Sequence, residues 1–301
     1  MDGLLVIDKP TGQTSHDIVA IVRRAAGIKR IGHTGTLDPM ATGVMVLLVG
    51  RATRIGRFLE LEPKEYTAEA EFGIITDTQD ITGHIIREST EKISVDTIER
   101  LIPTLTGNIL QTPPMYSAVK IGGKPLYKSA RRGEEVERPK RRVTIYELEM
   151  IDFFKVEGRQ RAIFRVVCSG GTYVRTLIHD LGERLGVGAT LANLRRTRVG
   201  RFTLSNAVSI ESIKAANGNI NDLIISMDSA LSHLPEVVVK DEAIALVLNG
   251  RGVGEGMLAL YPELGKTEEP LRIKNRSGAL LALGQTVKTD HSEIAPKIVF
   301  N

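Results

Sequence analysis

Apolar and polar positions follow two different periods along this chain, and each change of period marks an element. Gly3 to Ile7 is a short apolar run stopped by Asp8, Lys9 and Pro10, the pattern of a buried strand. Ser15 then reads as a helix N-cap, Ile18, Val19, Ile21 and Val22 supply an apolar face, and Gly27 supplies the stop. Val44 to Val49 is an unbroken apolar run that fits a strand or a buried helix. Lys64 to Gly73 alternates strictly, with Tyr66, Ala68, Ala70 and Phe72 on one face and Thr67, Glu69 and Glu71 on the other. This predicts a half-buried strand. The TDTQDITG segment behind it is turn-rich. Ser94 opens a helix through Leu105 with Val95, Ile98, Leu101 and Ile102 inward. Gln160 to Cys168 alternates again, and a Gly-Gly turn leads into a helix with Leu177, Leu181 and Leu185 at four-residue spacing.

The pattern shifts near Leu231 to Pro235. Beyond it Asp241 caps a short helix ending at Gly250, and four short apolar runs follow, split by turns: Met257 to Leu260, Leu271 to Ile273, Ala279 to Leu283 and Lys297 to Phe300. The expectation is a large unit over residues 1–232 and a small β-domain over 233–301, which suits a chain of 301 residues.

Composition narrows the chemistry. The single Cys168 excludes an internal disulfide framework and a Cys-rich zinc site. The six histidines are scattered without paired spacing, so no metal is expected. No stretch reaches the roughly 18 apolar residues of a membrane span. MDGLLVIDKP lacks the basic flank and cleavage site of a signal peptide, and the expected location is the cytoplasm. Net charge is only +4, but it is unevenly placed. Lys120 to Arg142 holds nine basic residues, among them Lys120, Arg141 and Arg142, against three acidic ones. Its glycines and charge predict a protruding, mobile insertion. A second knot holds Arg195, Arg196, Arg198 and Arg201. Such runs often form plain solvated faces; two of one sign also suit a polyanionic partner.

Ile31 to Gly50 carries one acidic residue, Asp38, and no Lys or Arg. Pro39 biases Asp38 toward an extended backbone, and Gly32, Gly35 and Gly43 permit tight turns or close approach. The segment reads either as a carboxylate presented on a shaped loop or as an Asp-Pro turn bonded to itself. Tyr66 and Arg175 also stand out in apolar surroundings. A carboxylate can act as nucleophile or base, an Arg nearby keeps it ionised, and a Tyr can stack on a planar ligand or move a proton. The competing readings are a core tyrosine and a solvated helix-start arginine. No phosphate-loop or nucleophile-elbow motif occurs, GVGEG at Gly252 follows a turn rather than a strand, and Cys168 ends an alternating strand as a core residue.

GLLVIDKPTGQTSHD, GHTGTLDPMATGVM, KEYTAEAEFG, TDTQDITG, PPMYSAVK, GTYVRTLIHDLG and LRRTRVG occur in this order. Together they resemble the bacterial tRNA pseudouridine-55 synthases over about residues 3 to 230. The tail with VVVKDEAIALVLNGRGV looks like the small PUA-type RNA-binding domain shared with archaeosine transglycosylases. The resemblance implies an α+β fold: a mixed, mostly antiparallel sheet flanked by helices, plus a small C-terminal β-barrel. It places the nucleophile on Asp38, base packing and proton transfer on Tyr66, and the carboxylate's partner on Arg175. It places His33 where the flipped arm of the RNA is held, and Lys9 and Tyr173 in the lining of the site. The implied reaction isomerises a uridine of the tRNA T stem-loop without a cofactor. The target base must be flipped out, and Lys120, Arg141, Arg142, Arg195 and Arg196 are expected to meet its backbone. A monomer without metal or membrane partner is expected. Two other readings stand beside it: a guide-RNA-dependent subunit acting on ribosomal RNA, and a non-catalytic protein that binds or folds tRNA.

Overall fold

The computed structural model describes residues 1–216, 218–260, 270–287 and 293–300. Two sheets organise them. The larger runs in the order Gly3–Lys9, Thr42–Val49, Ala189–Val199, Lys64–Phe72, Arg159–Cys168, Arg141–Val156 and Gly107–Gln111. Neighbours are antiparallel except at one place: Thr42–Val49 lies parallel to Ala189–Val199 through Arg195 opposite Thr42 and Arg196 opposite Gly43. Gly43 has φ +99°, and a Cβ there would lie 2.2 Å from the Arg196 carbonyl oxygen, so only glycine lets these strands meet.

The two faces of this sheet differ. On one, Tyr66, Ala68, Ala70 and Phe72 enter the main core as their alternation predicts, with Phe164, Val166, Ile18, Val22, Leu177 and Leu181. The helices Ser15–Ala26 and Val174–Arg184 bring in the last four. Gly182 sets how close the second helix lies, since a Cβ there would meet the Ala189 nitrogen at 2.0 Å. On the other face, a second cluster joins Leu4, Val6, Val44, Val46 and Leu48 to Ile55, Leu59, Phe202 and Leu231. Thr42–Val49 is thus buried on both sides, which explains its unbroken apolar run and decides for a strand.

The C-terminal sheet has six strands in the order Val253–Gly254, Glu293–Val299, Leu280–Val287, Leu271–Lys274, Glu236–Val239 and Leu258–Leu260. With the helix Asp241–Leu248 it encloses its own core of Val237, Val239, Ala243, Val247, Ile273 and Ile294. It is also tied to the larger sheet: Leu283, Ile298 and Phe300 lie in the second cluster beside Leu4 and Val6. Arg51 Nη1 donates to the Phe300 carbonyl at 3.2 Å, and Arg54 donates to that of Val299. Among the described residues no helix is long and apolar enough to cross a membrane.

Three local expectations change. Thr14, not Ser15, caps the first helix, through a capping box with Asp17. The helix from Ser94 ends at Leu101 and tightens to a 3-10 turn over Ile102–Leu105, because Pro103 cannot continue it. The basic stretch from Lys120 to Arg142 is only in part an insertion of its own, and residues 131–140 are turn and irregular chain. Lys120–Ile121 and Lys124–Pro125 pair about the Gly122-Gly123 turn, Leu126–Ala130 is helical, and Arg141 and Arg142 already belong to the main sheet.

Candidate active site

Asp38 lies in the loop that enters the strand Thr42–Val49, beside the parallel contact at the middle of the sheet. The loop is tied from several sides. The Gly12 N–H donates to the Pro39 carbonyl at 2.8 Å, and the Ala41 N–H to that of Asp38 at 3.1 Å. The fully buried Lys9 donates to the carbonyls of Pro10, Pro39 and Ala41 at 3.0, 3.2 and 2.6 Å. From the Ala189–Val199 strand, Arg196 donates to the carbonyls of Val44 at 2.6 Å and Gly35 at 3.2 Å. The Asp38 side chain keeps 30% of its surface open.

Arg175 reaches that carboxylate from the start of the helix Val174–Arg184. Its Nη2 donates to Asp38 Oδ1 at 3.1 Å. Its Nε is 2.9 Å from Oδ2, an ion-pair distance without hydrogen-bond alignment. Nη1 donates to the Thr78 carbonyl at 2.9 Å and faces Asp80 Oδ2 at 3.4 Å, while Nη2 also donates to the Tyr116 carbonyl at 2.9 Å. The guanidinium is 3% exposed and held as a fixed fork. Asp80 is fixed in turn, accepting from the Thr78 hydroxyl at 2.9 Å and the Thr82 N–H at 3.0 Å. Gln79, at φ +63°, accepts from the Thr176 hydroxyl at 2.9 Å and ties the TDTQDITG turn to Arg175's helix.

Burial dominates the electrostatics. It raises the Asp38 carboxyl above the ordinary range; Arg175 opposes this and Asp80 adds to it. Burial lowers Lys9 to about 8 and Lys64 to about 8. Lys64 holds the Glu60 and Glu62 carbonyls at 2.6 and 2.8 Å. Burial also raises the Tyr66 hydroxyl, keeping it protonated, while the facing Arg196 pulls the other way. Tyr173 is raised by burial, with its hydroxyl toward Ser117 and Arg141, Arg175 and Asp38 nearby. His33 is lowered by burial first, then by His16, which meets its ring edge-on at 6.0 Å.

The structure brings Asp38 and Arg175 into direct contact, and links Tyr66 to them through Arg196, its partner across the sheet register. Tyr173 sits at the helix start, where its backbone is held by Gln111 at 3.0 and 3.2 Å. His33 accepts from the Gly35 N–H at 3.3 Å. Lys120, Arg141 and Arg142 are exposed, and Arg141 is near enough to act on the Tyr173 hydroxyl. Arg195 is partly exposed and pairs with Asp8 at 2.8 Å. One expectation needs correction. Arg196 is 1% exposed, so its cation holds the Asp38 loop from within rather than an RNA backbone; Lys9, 0% exposed, holds the same loop beside it. Asp80 and Lys64 are missing from the sequence expectation, though both stand inside its motifs. A third basic tract also escaped it: Ile18 to Leu59 holds seven Lys and Arg against Asp38 alone. Arg23, Arg24 and Lys29 there line an open hollow with Gly27 and Ile28. Among the described residues no group of three or more His, Cys, Asp or Glu could hold a metal ion.

Comparisons with known proteins agree with this geometry. A model of the TruB family pseudouridylate synthase N-terminal domain matches residues 23–174, and one of the tRNA pseudouridylate synthase B C-terminal domain matches residues 175–232. The tRNA pseudouridine synthase B of Geobacillus thermodenitrificans is 49% identical over 261 residues, 83% of this chain and 85% of its own. That of Alkaliphilus oremlandii is 46% identical over 253 residues, 84% of this chain and 83% of its own. Among solved structures, an H/ACA ribonucleoprotein bound to a substrate RNA containing 2'-deoxyuridine superposes with TM-score 0.75 and 26% identity, over 99% of this chain and 85% of that one. An archaeal box H/ACA Nop10-Cbf5 complex gives TM-score 0.72 and 26% identity, over 99% of this chain and 86% of that one. The motif order, the sheet and these matches have one reading: the chain belongs to the TruB family of pseudouridylate synthases.

Proposed function

We propose that this protein converts the uridine at position 55 of the tRNA T-loop to pseudouridine, with Asp38 as nucleophile. The observation that carries the reading is the Asp38 carboxylate, partly open to solvent and gripped from behind by the buried Arg175. The carboxylate adds covalently to the base or the ribose as the C1′–N1 bond breaks. The uracil turns, C1′ bonds to C5 as the bond to Asp38 breaks and frees the carboxylate, the C5 proton leaves to solvent and N1 is protonated. The atoms are only rearranged, so the reaction balances without an oxidant or reductant. Arg175 keeps the nucleophile ionised against its burial. Tyr66 offers a face for the flipped base and a protonated hydroxyl for proton transfer. Lys9 and Arg196 hold the loop.

The RNA backbone meets Lys120, Arg141, Arg142 and Arg195, together with the Arg23, Arg24 and Lys29 surface. Residues 1–232 act as the catalytic unit and 233–301 as an RNA-binding one. The high identity to tRNA synthases favours action on bare tRNA over the guide-dependent reading.

The test is tritium release from a tRNA transcript labelled at C5 of uridine, comparing wild type with Asp38→Asn. About one equivalent released per tRNA by wild type alone is the expected result. No release by folded wild type removes the reading. Charge reversal at Arg141 and Arg142 is expected to weaken RNA binding and flatten its salt dependence; an unchanged slope assigns them to solvent.

A further inference from the structure

Ser15 opens the helix Ser15–Ala26, yet its hydroxyl serves no helix end. Thr14 caps the helix instead. Its Oγ1 accepts from the Asp17 N–H at 3.1 Å, and the Asp17 carboxylate accepts from the Thr14 N–H at 2.9 Å. The Ser15 hydroxyl turns to the catalytic loop. It donates to the Leu37 carbonyl at 3.1 Å and accepts from the Leu37 N–H at 2.9 Å. One hydroxyl thus takes both polar groups of the residue before Asp38. Both bonds are buried, with Ser15 1% and Leu37 3% exposed. The Leu37 carbonyl belongs to the peptide plane that ends in the Asp38 nitrogen. Fixing that plane fixes the direction in which the Asp38 side chain leaves the loop. The residues after Asp38 are tied separately, through Pro39 and Ala41 to Gly12 and Lys9.

We propose that Ser15 is a positioning residue for the reaction: its two-way bond to Leu37 aims the Asp38 carboxylate between Arg175 and the target uridine. The inference rests on Asp38 being the nucleophile. Replacing Ser15 by alanine leaves a buried N–H and a buried carbonyl unpaired beside the nucleophile. Small displacements of a reacting group cost up to about a hundredfold in rate. RNA binding relies on other surfaces and is expected to persist. The carboxylate, faced by Arg175, Asp80 and Lys9, loses part of its contact with Arg175, which moves the acid limb of the rate to higher pH.

The experiment measures tritium release from the C5-labelled tRNA transcript across pH, with kcat and KM separated, for wild type, Ser15→Ala, Ser94→Ala and Asp38→Asn. Ser94 is an exposed helix-capping hydroxyl, accepting from the Thr97 N–H at 3.3 Å, and controls for the loss of a serine hydroxyl that does not touch the Asp38 loop. Ser15→Ala is expected to lower kcat about tenfold to a hundredfold, to leave KM within about threefold and to raise the acid limb. Ser94→Ala is expected to lower the melting temperature with kcat unchanged. Wild-type kcat and pH profile in Ser15→Ala, or a loss no larger than its loss of folded protein, overturns the proposal. Should Ser15→Ala not fold, Ser15→Cys keeps the volume, weakens both bonds and is judged by the same outcomes. Full release by Asp38→Asn would remove the nucleophile reading itself. Loss of release there beside wild-type kinetics in Ser15→Ala removes only the role of Ser15.

Discussion

Two sets of arginine–carboxylate pairs lie on opposite faces of one strand. Tyr66 turns toward the centre where Arg175 meets Asp38 and Asp80. Glu65, one residue earlier, turns to the other face, where Arg165 pairs with it at 3.1 Å and with Glu147, and Arg198 approaches at 3.4 Å. Arg161 continues this ladder with Glu69 at 2.8 Å and Glu71 at 2.5 Å. The ladder has more ion pairs, yet Arg165 is 36% exposed and Arg175 3%. The exposed pairs of Arg165 contribute little, because solvent already stabilises each charge; Glu71, 4% exposed, is the buried end of the ladder. At the buried centre the charges are held by backbone carbonyls and threonines, and removing one partner strands the other. The lesson is that burial and backbone support, not the count of pairs, decide which charges position chemistry.

The sharpest way to break this contrast is Asp38→Asn. Turnover is expected to fall by about a thousandfold or more in the tritium assay. Stability follows the opposite course. Asp38's folded-state carboxyl is raised, so its contribution is present below the unfolded value of 3.8 and is lost as pH rises through the folded one. Melts are therefore expected to show Asp38→Asn gaining on wild type as pH rises through that window, against the cost of leaving Arg175 with Asp80 alone.

Arg175→Ala comes next. It leaves two carboxylates facing a buried gap and is expected to cost about 3–5 kcal/mol in denaturant unfolding. Its residual activity should have an acid limb moved to higher pH, since the charge that opposed Asp38's burial is gone.

Lys9 gives a smaller, pH-graded effect. Its folded value of about 8 lies below the ordinary 10.5, so the unfolded chain binds more protons between them and stability rises with pH there. Lys64 adds a similar rise. Lys9→Met should therefore remove about half of it, read from melts across that window.

Arg165→Ala is the mildest. A change under about 1 kcal/mol that shrinks with salt, and no change in tritium release, is expected.

The contrast also explains what the sequence could reveal. Lys64–Phe72 was legible because its two faces meet different surroundings, core and ladder, and strict alternation records that. Thr42–Val49 was ambiguous because both its faces are buried, which erases the period. The short apolar runs after Leu231 became strands of the second sheet, and Gly, Pro and polar residues already separate them in the sequence. The Asp38–Arg175 contact spans 137 residues, and no local pattern encodes it; only the ordered motifs pointed there. Burial of Lys9, Arg196 and Arg175 was illegible for a related reason. What covers them, Pro39, Gly35 and Tyr116, comes from distant segments, and the bonds go to backbone carbonyls that any residue could supply. Ser15 misled because Thr14 and Ser15 are both good caps, and Asp17 stands in capping-box spacing only from Thr14.

The clasp at residues 298–300 has a consequence for how the molecule is made. Leu4 and Val6 share a cluster with Ile298 and Phe300, and Arg51 and Arg54 hold the carbonyls of Phe300 and Val299. During synthesis, one side of the first strand waits for residues 298–300 to emerge before the last part of its cover arrives. Contacts of such sequence separation form late and slow a fold, and an uncovered apolar strand meanwhile invites self-association or a chaperone.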